Sequence, residues 1–388
     1  MKFSAAAFAL ASAISVEGAA LGERGTYSVK GAAEGFAKGV TGGGSAPCAV
    51  PSSPSQLKSW LGDNVARCIV LDKEYNFKGS EGSVTENGCR PASNKCPGNG
   101  GQDAINLASW CTNGNAGVGS KTIKVTYDKA GISGLLVGSN KSIIGAGNKG
   151  VLRGKGLRIA NGAKNVIVQN IHITELNPQF IWGGDALAID GSDQVWVDHN
   201  KFSLIGRQML VLGNGASNRV TVSNNEFDGV TSWSATCDGH HYWAIYLTGS
   251  NDMVTLKGNY IHHTSGRSPK TGGNSLIHAV NNYWYANTGH AFDNGAGSQI
   301  VAEGNVFQNV NTPLLEKKGS FFASPSTGAN AVCSASLKHT CQMNSFGSSG
   351  TLGGADTGFL ANFAGKNVAT AQVGSASAIQ NGSGVGRI

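Results

Sequence analysis

A short apolar segment with an asparagine five positions after its first residue recurs along the middle of the chain, and a large apolar residue follows each asparagine. The segments begin at Val195, Val220, Val254, Ile277 and Ile300. The asparagines are Asn200, Asn225, Asn259, Asn282 and Asn305, and the large apolar residues are Phe202, Phe227, Ile261, Trp284 and Phe307. The asparagines are 25, 34, 23 and 23 residues apart. This spacing fits the coils of a solenoid and is too short for independent domains.

Apolar or small residues occupy every second position of these segments, which predicts short strands. Their side chains would stack inward on the equivalent positions of neighbouring coils, so that the core is built between coils. An asparagine repeated at one bend can bond its own turn and the asparagine of the next coil, which satisfies buried polar groups. The alternative is that the asparagines mark surface turns of a β-sandwich. A segment from Asn165 fits with Asn170 one place early, and a segment from Ser142 fits more loosely.

The composition favours an all-β solenoid. Glycine supplies 57 of the 388 residues, which is about twice its average share, and glycine suits tight corners with positive φ. The apolar runs are too short for a transmembrane helix, and the chain shows neither heptads nor zinc-type spacings of cysteine and histidine. A membrane-spanning protein and a zinc protein are therefore not expected.

The start of the chain has the layout of a secretory signal peptide. Lys2 precedes an apolar run from Ala5 to Ile14, and Gly18, Ala19 and Ala20 place small residues at the cleavage point. We expect residues 1–20 to be removed and residues 21–388 to form one extracellular domain, because a solenoid of this length needs no division.

The cysteines and sequons agree with an extracellular protein. Eight cysteines suit an oxidising compartment and allow four disulfides. Cys333 and Cys341 are close enough in sequence to close a small loop, whereas Cys237 must find its partner in a distant cluster. That cluster is Cys89, Cys96 and Cys111. Asn140 and Asn381 begin glycosylation sequons, and the sequence leaves the use of each one open.

Six segments in order point to a known family. They are AEGFAKGVTGGG (33–44), GGDA (183–186), VWVDH (195–199), IGRQ (205–208), ATCDG (235–239) and HTSGRSPK (263–270). Together they resemble the fungal pectin lyases, over nearly all of the chain after the signal peptide. The resemblance implies a right-handed parallel β-helix with extended loops that form a substrate groove. It also implies cleavage of the α-1,4 bonds of methyl-esterified polygalacturonan by β-elimination, with neither calcium nor another cofactor.

The same resemblance implies disulfide pairs. They are Cys89 with Cys111, Cys96 with Cys237 and Cys333 with Cys341. Cys48 with Cys68 is then the pair that remains.

β-Elimination needs a base that removes the proton next to the uronyl carboxyl, and a positive group that stabilises the resulting enolate. A methyl ester makes this proton more acidic than a free carboxylate does, so a metal is unnecessary. By the resemblance, Arg267 matches the catalytic arginine. Arginine is normally protonated, so Arg267 could act as the base only if clustering with Arg207 and Lys270 in a poorly solvated groove lowered its pKa. Otherwise Arg267 stabilises the enolate while hydroxide or another base takes the proton.

Two further residues are assigned by comparison with the related pectate lyases. Arg207 occupies the position of an acidic calcium ligand, so its guanidinium would contact the substrate carboxyl in place of the ion. Asp185 matches a calcium-ligand aspartate, and beside Arg207 it would form an ion pair that orients the guanidinium. The alternative for Asp185 is an Asx turn at a coil corner. Asp198 and His199 lie in a predicted strand and are expected to be structural.

Aromatic residues surround these motifs, and aromatic faces suit the apolar sides and methyl esters of sugar rings. We expect Trp182 and Trp243 to contact the substrate, with Tyr242, Tyr246 and Trp110 as further candidates. The alternative for each of them is a core position.

Three other functions compete with that of a pectin lyase. A calcium-dependent pectate lyase shares the fold but needs several acidic ligands in one place, and a polygalacturonase-type hydrolase needs paired carboxylates. A non-catalytic pectin-binding wall protein is the third. The net charge of +7 suits a polyanionic partner such as partly de-esterified pectin. We expect a monomer that acts on pectin, without a nucleic-acid or membrane partner.

Overall fold

The computed structural model describes residues 27–388, so the predicted signal peptide lies outside the described residues. Most strands of the described chain form three parallel faces that wind around one core. The first face contains Cys48–Ala49, Arg67–Leu71, Lys141–Gly145, Lys164–Gln169, Asp193–Asp198, Arg219–Ser223, Met253–Lys257, Leu276–Val280, Gln299–Glu303 and Ser320–Phe322. This parallel arrangement excludes the β-sandwich alternative.

Two long strands, Tyr283–Asn294 and Val306–Lys317, join the other two faces because each strand contributes to both. The remaining strands of the second face are Glu74–Asn76, Val151–Arg153, His172–Leu176, Lys201–Ile205, Glu226–Asp228, Tyr260–His262 and Ser345–Gly347. The remaining strands of the third face are Leu135–Val137, Leu157–Ala160, Leu187–Asp190, Leu210–Leu212, Ile245–Leu247 and Lys270–Thr271.

Each predicted repeat corresponds to one strand of the first face, and the strands pair with their repeats in register. The residues that begin the repeated segments pair directly across neighbouring strands, and all of them are fully buried. The row runs through Val166, Val195, Val220, Val254, Ile277, Ile300 and Phe321. The residues two positions later form a second buried row, so the core is built between coils as the alternation predicts.

The repeated asparagines form a buried ladder at the bend between the first and second faces. Asn259 is representative: its Oδ1 accepts hydrogen bonds from the backbone N–H and the Nδ2 of Asn225, at 3.0 and 2.9 Å. Its own Nδ2 donates to the carbonyl of Val222 and to Oδ1 of Asn282. The ladder therefore satisfies the backbone groups that each corner exposes.

The ladder differs from the prediction at both ends. Asn344 forms an additional rung, because its Oδ1 accepts from the backbone N–H and the Nδ2 of Asn305. Asn170 is not a rung: the position equivalent to Asn200 is Ile171, whose N–H donates to Asn200. Asn170 instead adopts φ +60° and donates from Nδ2 to the carbonyl of Gly145.

We expect Asn259→Ala to lower the free energy of unfolding by about 3 kcal/mol, because it leaves several buried polar groups without a partner. Denaturant unfolding of the purified variant measures this loss. Asn115→Ala is the matched control, since Asn115 is exposed and outside the ladder. Equal stabilities of the two variants would contradict a structural role for the ladder.

Short helices lie at the ends and along the corners of the coil. The α-helices are Pro54–Gly62, Lys129–Ile132, Thr327–Asn330, Ser334–Leu337 and Ala376–Gly382, and the 3-10 helices are Gly35–Ala37, Pro97–Asn99, Leu107–Ser109, Ala331–Cys333 and Leu360–Phe363. The helix Pro54–Gly62 begins after Ser53, whose hydroxyl accepts from the Gln56 N–H, and it buries Leu57 and Leu61. None of the described helices is long and apolar enough to cross a bilayer.

A small sheet stands beside the coil, with Ser83–Arg90 antiparallel to Lys121–Asp128 and the short strands Asp103–Ala104 and Phe180–Ile181 attached. Two disulfides join segments around this sheet, one links two strands of the first face, and one lies in the C-terminal helical region. The four pairs are those expected from the sequence: Cys48–Cys68, Cys89–Cys111, Cys96–Cys237 and Cys333–Cys341.

Candidate active site

Arg267 lies just before the third-face strand Lys270–Thr271, with its guanidinium packed among aromatic rings. Its central carbon is 4.5 Å from the ring centroid of Trp243 and 5.0 Å from that of Tyr246. The Tyr242 ring lies on another side, at 5.7 Å. The backbone of Arg267 has φ +44°, a conformation that costs a non-glycine residue about 1 kcal/mol. The site therefore holds this side chain in a defined and partly dry position.

Burial lowers the pKa of Arg267 below its ordinary value, and the positive charge of Arg207 acts in the same direction. The two tyrosines oppose this shift. The Nε of Arg267 is buried and has no hydrogen-bond partner within the described chain. Buried donors without a partner are rare, so this one distinguishes Arg267 from an arginine held in a structural ion pair.

Arg207 faces the same region and is held from two sides. Its guanidinium lies 3.7 Å from the ring centroid of Trp182, and its Nη1 is 3.2 Å from Oδ2 of Asp185. Oδ1 of Asp185 accepts the backbone N–H of Gln208 at 2.9 Å. Burial raises the pKa of Asp185 although Arg207 and this N–H act to lower it. The geometry thus brings Asp185 and Arg207 together as the sequence predicts, with Trp182 supporting the guanidinium.

Lys270, the third cation of the predicted cluster, forms an ion pair with the next strand. Its Nζ is 2.5 Å from Oδ2 of Asp293, the residue directly opposite it on the next strand. Besides burial, Arg207 is the cation that lowers the pKa of Arg267, and Lys270 is not among the main causes of this shift. A catalytic role of Lys270 stays a prediction.

The predicted aromatic residues form one cluster, but they differ in accessibility. Trp243 is only 9% exposed, and its indole N–H donates to Oε1 of Gln102, so it mainly supports Arg267. Trp110, Trp182 and Tyr242 pack against the same cluster and remain partly accessible. Tyr246 lies on an outward row of the third face and is also partly accessible. Contact of these four rings with a sugar chain stays a prediction.

Sequence reasoning missed two residues that position the site. Gln102 is buried, and its amide N–H groups donate to the carbonyls of Pro178 and Gly206 while its oxygen holds Trp243. His290 accepts the backbone N–H of Arg267 at Nε2, at 3.1 Å. Only the fold brings such distant residues together, so no local sequence signal could have identified them.

The His290 contact gives a prediction for pH. Burial lowers the pKa of His290, the charges of Lys270 and Arg267 lower it further, and Asp293 opposes them. Because its pKa is lowered, His290 is neutral at neutral pH and accepts the Arg267 N–H there. It loses this role when the pH falls below its lowered pKa, because a protonated Nε2 cannot accept. We expect kcat/KM to fall with the pH in that window, and His290→Gln, which keeps an acceptor but does not titrate, to flatten this limb. Identical acid limbs in the two enzymes would contradict the proposed contact.

Asp198 and His199 lie on the first face and its corner, outside the group around Arg267. The Asp198 carboxylate accepts from Ser223, Asn224, Gln169 and His199, which fits the expected structural role.

The two sequons occupy different settings. The exposed Asn140 accepts a hydrogen bond from Nδ2 of Asn165, and Asn381 is exposed on the helix Ala376–Gly382.

Two groups of acidic and histidine side chains in residues 27–388 converge closely enough to resemble metal ligands, and neither includes a residue of the candidate site. One group is Glu303 with His278 and His339, whose imidazoles contact the same carboxylate oxygen at 2.7 and 2.8 Å. The other is Glu226 with Asp228 and His262, where Lys201 is 2.9 Å from both carboxylates.

Known proteins with similar structures have the same architecture. A pectate lyase from a Bacillus species, solved with trigalacturonate, has a TM-score of 0.54 at 18% identity and covers 91% of this chain and 99% of its own. A pectate lyase from a Paenibacillus species has a TM-score of 0.56 at 13% identity, with coverages of 92% and 96%. At such identities the likeness concerns the fold alone, and it confirms the predicted right-handed parallel β-helix.

Similar sequences define the family. A probable pectin lyase A from Aspergillus fumigatus is 57% identical over 369 residues, which are 94% of this chain and 96% of that protein. A pectin lyase from Colletotrichum gloeosporioides is 60% identical over 363 residues, with coverages of 93% and 94%. The family model described as pectate lyase matches residues 111–388. The chain therefore belongs to the pectate lyase family, with fungal pectin lyases among its similar members.

Proposed function

We propose that this protein is a secreted pectin lyase that cleaves methyl-esterified polygalacturonan by β-elimination without calcium. The relatives at 57% and 60% identity are named pectin lyases, and they align with nearly the whole chain. Their names supply the reaction and substrate class, and the site supplies the residues that would carry it out.

In the reaction one proton is removed from carbon, two electron pairs shift, and one proton is added to the leaving oxygen. A base removes the proton from the carbon next to the uronyl carboxyl, and the released electron pair forms a double bond to the neighbouring carbon. The bond from that carbon to the glycosidic oxygen breaks, and this oxygen takes up a proton. Negative charge grows on the ester carbonyl oxygen in the transition state, so fixed positive groups lower the barrier.

Arg207 and Arg267 are placed to supply those positive groups. The Arg207 guanidinium is oriented by Asp185 and by the Trp182 ring, and would meet the uronyl ester with its remaining donors. Burial lowers the pKa of Arg267, which favours a role as base, and its positive charge would stabilise an enolate. Either Arg267 takes the proton itself, or it stabilises the enolate while hydroxide takes the proton.

The contact between Arg207 and Asp185 is the single observation that carries the calcium-free reaction. A calcium site needs several free acidic ligands. Here Asp185 is held by Arg207, and Asp293 is held by Lys270. The positive charge at the substrate carboxyl would therefore come from the protein.

Secretion and a monomeric state are part of the proposal. The signal-peptide layout of the first 20 residues and the four disulfides favour an oxidising, extracellular environment. The single continuous core favours one self-sufficient domain.

The test is the ultraviolet absorbance of unsaturated product, measured with the purified protein on highly methylated pectin and on polygalacturonate, each with chelator or with calcium. We expect product from methylated pectin at an unchanged rate in chelator. Loss of activity in chelator with recovery in calcium would support a pectate lyase, and the absence of product under all conditions would support a binding protein.

A further inference from the structure

One outward-facing row of residues on the third face continues past the region of Arg207 and Arg267. Neighbouring strands pair Arg158 with Ala188, Ala188 with Val211, Val211 with Tyr246, and Tyr246 with Lys270. The flanking residues Leu157 and Ile159 are fully buried, so the exposed Arg158 points outward. Adjacent strands are about 4.8 Å apart, which places Arg158 roughly 14 Å from Tyr246.

Arg158 has an unused guanidinium. Its nearest carboxylate contact is a single one, from Nη2 to Oδ2 of Asp190 at 3.6 Å, which is longer than a hydrogen bond. Arg90, by contrast, binds both oxygens of Asp103 at 2.8 and 2.9 Å. Within residues 27–388 we find no hydrogen bond donated by the Arg158 side chain, so its donors are available to a ligand.

Asp190 is oriented by the backbone and not by Arg158. Its Oδ1 accepts the N–H of Gly215 at 2.8 Å, which fixes the carboxylate at the adjoining turn. Asp190 therefore restrains Arg158 only weakly, while its negative charge opposes the approach of a second carboxylate.

We propose that Arg158 binds a free galacturonate carboxylate of a partly methylated chain, several sugars away from the bond that is cut. This inference rests on the proposed pectin lyase function. A guanidinium can bind both oxygens of a carboxylate, whereas a methyl ester offers no charge. Ala188 and Val211 lie between Arg158 and Tyr246 and provide an uncharged floor for esterified sugars. The groove would thus accept esters at its centre and a free acid at its edge.

The experiment compares kcat and KM on fully methylated and on half-methylated pectin. We expect Arg158→Gln to act on fully methylated pectin within about twofold of the wild-type rate, and to lose roughly tenfold in kcat/KM on half-methylated pectin, mostly through KM. Added salt should reduce this difference. Asp190→Asn should act in the opposite direction and lower KM on half-methylated pectin, because an asparagine still accepts the Gly215 N–H.

Arg387→Gln is the matched control, since it removes one positive charge from an exposed residue at the end of the chain, which lies on another corner of the coil. If Arg158→Gln changes both substrates equally, or no more than Arg387→Gln does, the carboxylate site is wrong. A wild-type protein that is inactive on every methylated pectin would instead overturn the proposed function itself, so the two failures are distinguishable.

Discussion

Arg267→Lys is expected to lower kcat/KM on fully methylated pectin by about 10²-fold or more while the protein remains folded. Lysine keeps a positive charge but loses the planar fork. It also loses the ring contacts with Trp243 and Tyr246 that fix the guanidinium. A compact, strongly hydrated ammonium could not face the proton-bearing carbon and donate to the ester oxygen at the same time. Steady-state rates on methylated pectin measure the effect.

The control for this variant is Arg219→Lys, because Arg219 is paired with Asp193 on the first face and does not belong to the group around Arg267. It should retain nearly the wild-type rate. The two variants should also unfold at similar denaturant concentrations, which separates lost chemistry from lost stability. If Arg267→Lys turns over methylated pectin at a near-normal rate, Arg267 is not the central residue.

Arg207→Asp is expected to lower turnover on methylated pectin by orders of magnitude. The substitution removes the guanidinium and places a second carboxylate beside Asp185. Burial already raises the pKa of Asp185, and Arg207 is the main group that opposes this. The pKa should therefore rise further, because two adjacent carboxylates disfavour each other's ionisation. Neither carboxylate could stabilise negative charge on the substrate.

Calcium should not restore the Arg207→Asp enzyme. Weak calcium binding could arise from the two carboxylates and be measured by calorimetry, but Asp293 stays paired with Lys270 and further ligands are missing. A variant that still cleaves methylated pectin at nearly the original rate without calcium would contradict the view that this guanidinium replaces a metal ion.

The asparagine ladder was predictable from the sequence in its middle but not at its ends. Five rungs were predictable because the first-face strands have similar lengths and pair in register. Asn344 was not predictable, because the chain leaves the coil between Phe322 and Ser345 and the rung follows 39 residues after Asn305. Asn170 could not be excluded as a rung, since a shift of one position becomes visible only when the strands are paired.

The sequence identified the charged residues of the candidate site but neither their contacts nor the positioning residues Gln102 and His290. The resemblance identified Arg207, Arg267 and Asp185, and the structure brings them together. It could not show that Lys270 is neutralised by Asp293, because that pair depends on the register of two strands 23 residues apart. The buried position of Trp243 likewise depends on Gln102, which is 141 residues away in the chain.

We propose that the Arg207 guanidinium supplies the positive charge that calcium supplies in pectate lyases. Chemical rescue of a variant without this guanidinium tests the proposal. Arg207→Gly would leave a space bounded by Trp182 and Asp185, which already bind a guanidinium. Product formation from methylated pectin is measured with added methylguanidinium in chelator, or with calcium alone, against the wild-type enzyme in the same solutions. We predict that methylguanidinium restores part of the lost rate and that calcium does not. Recovery with calcium, or a variant that has lost no activity, would contradict the claim.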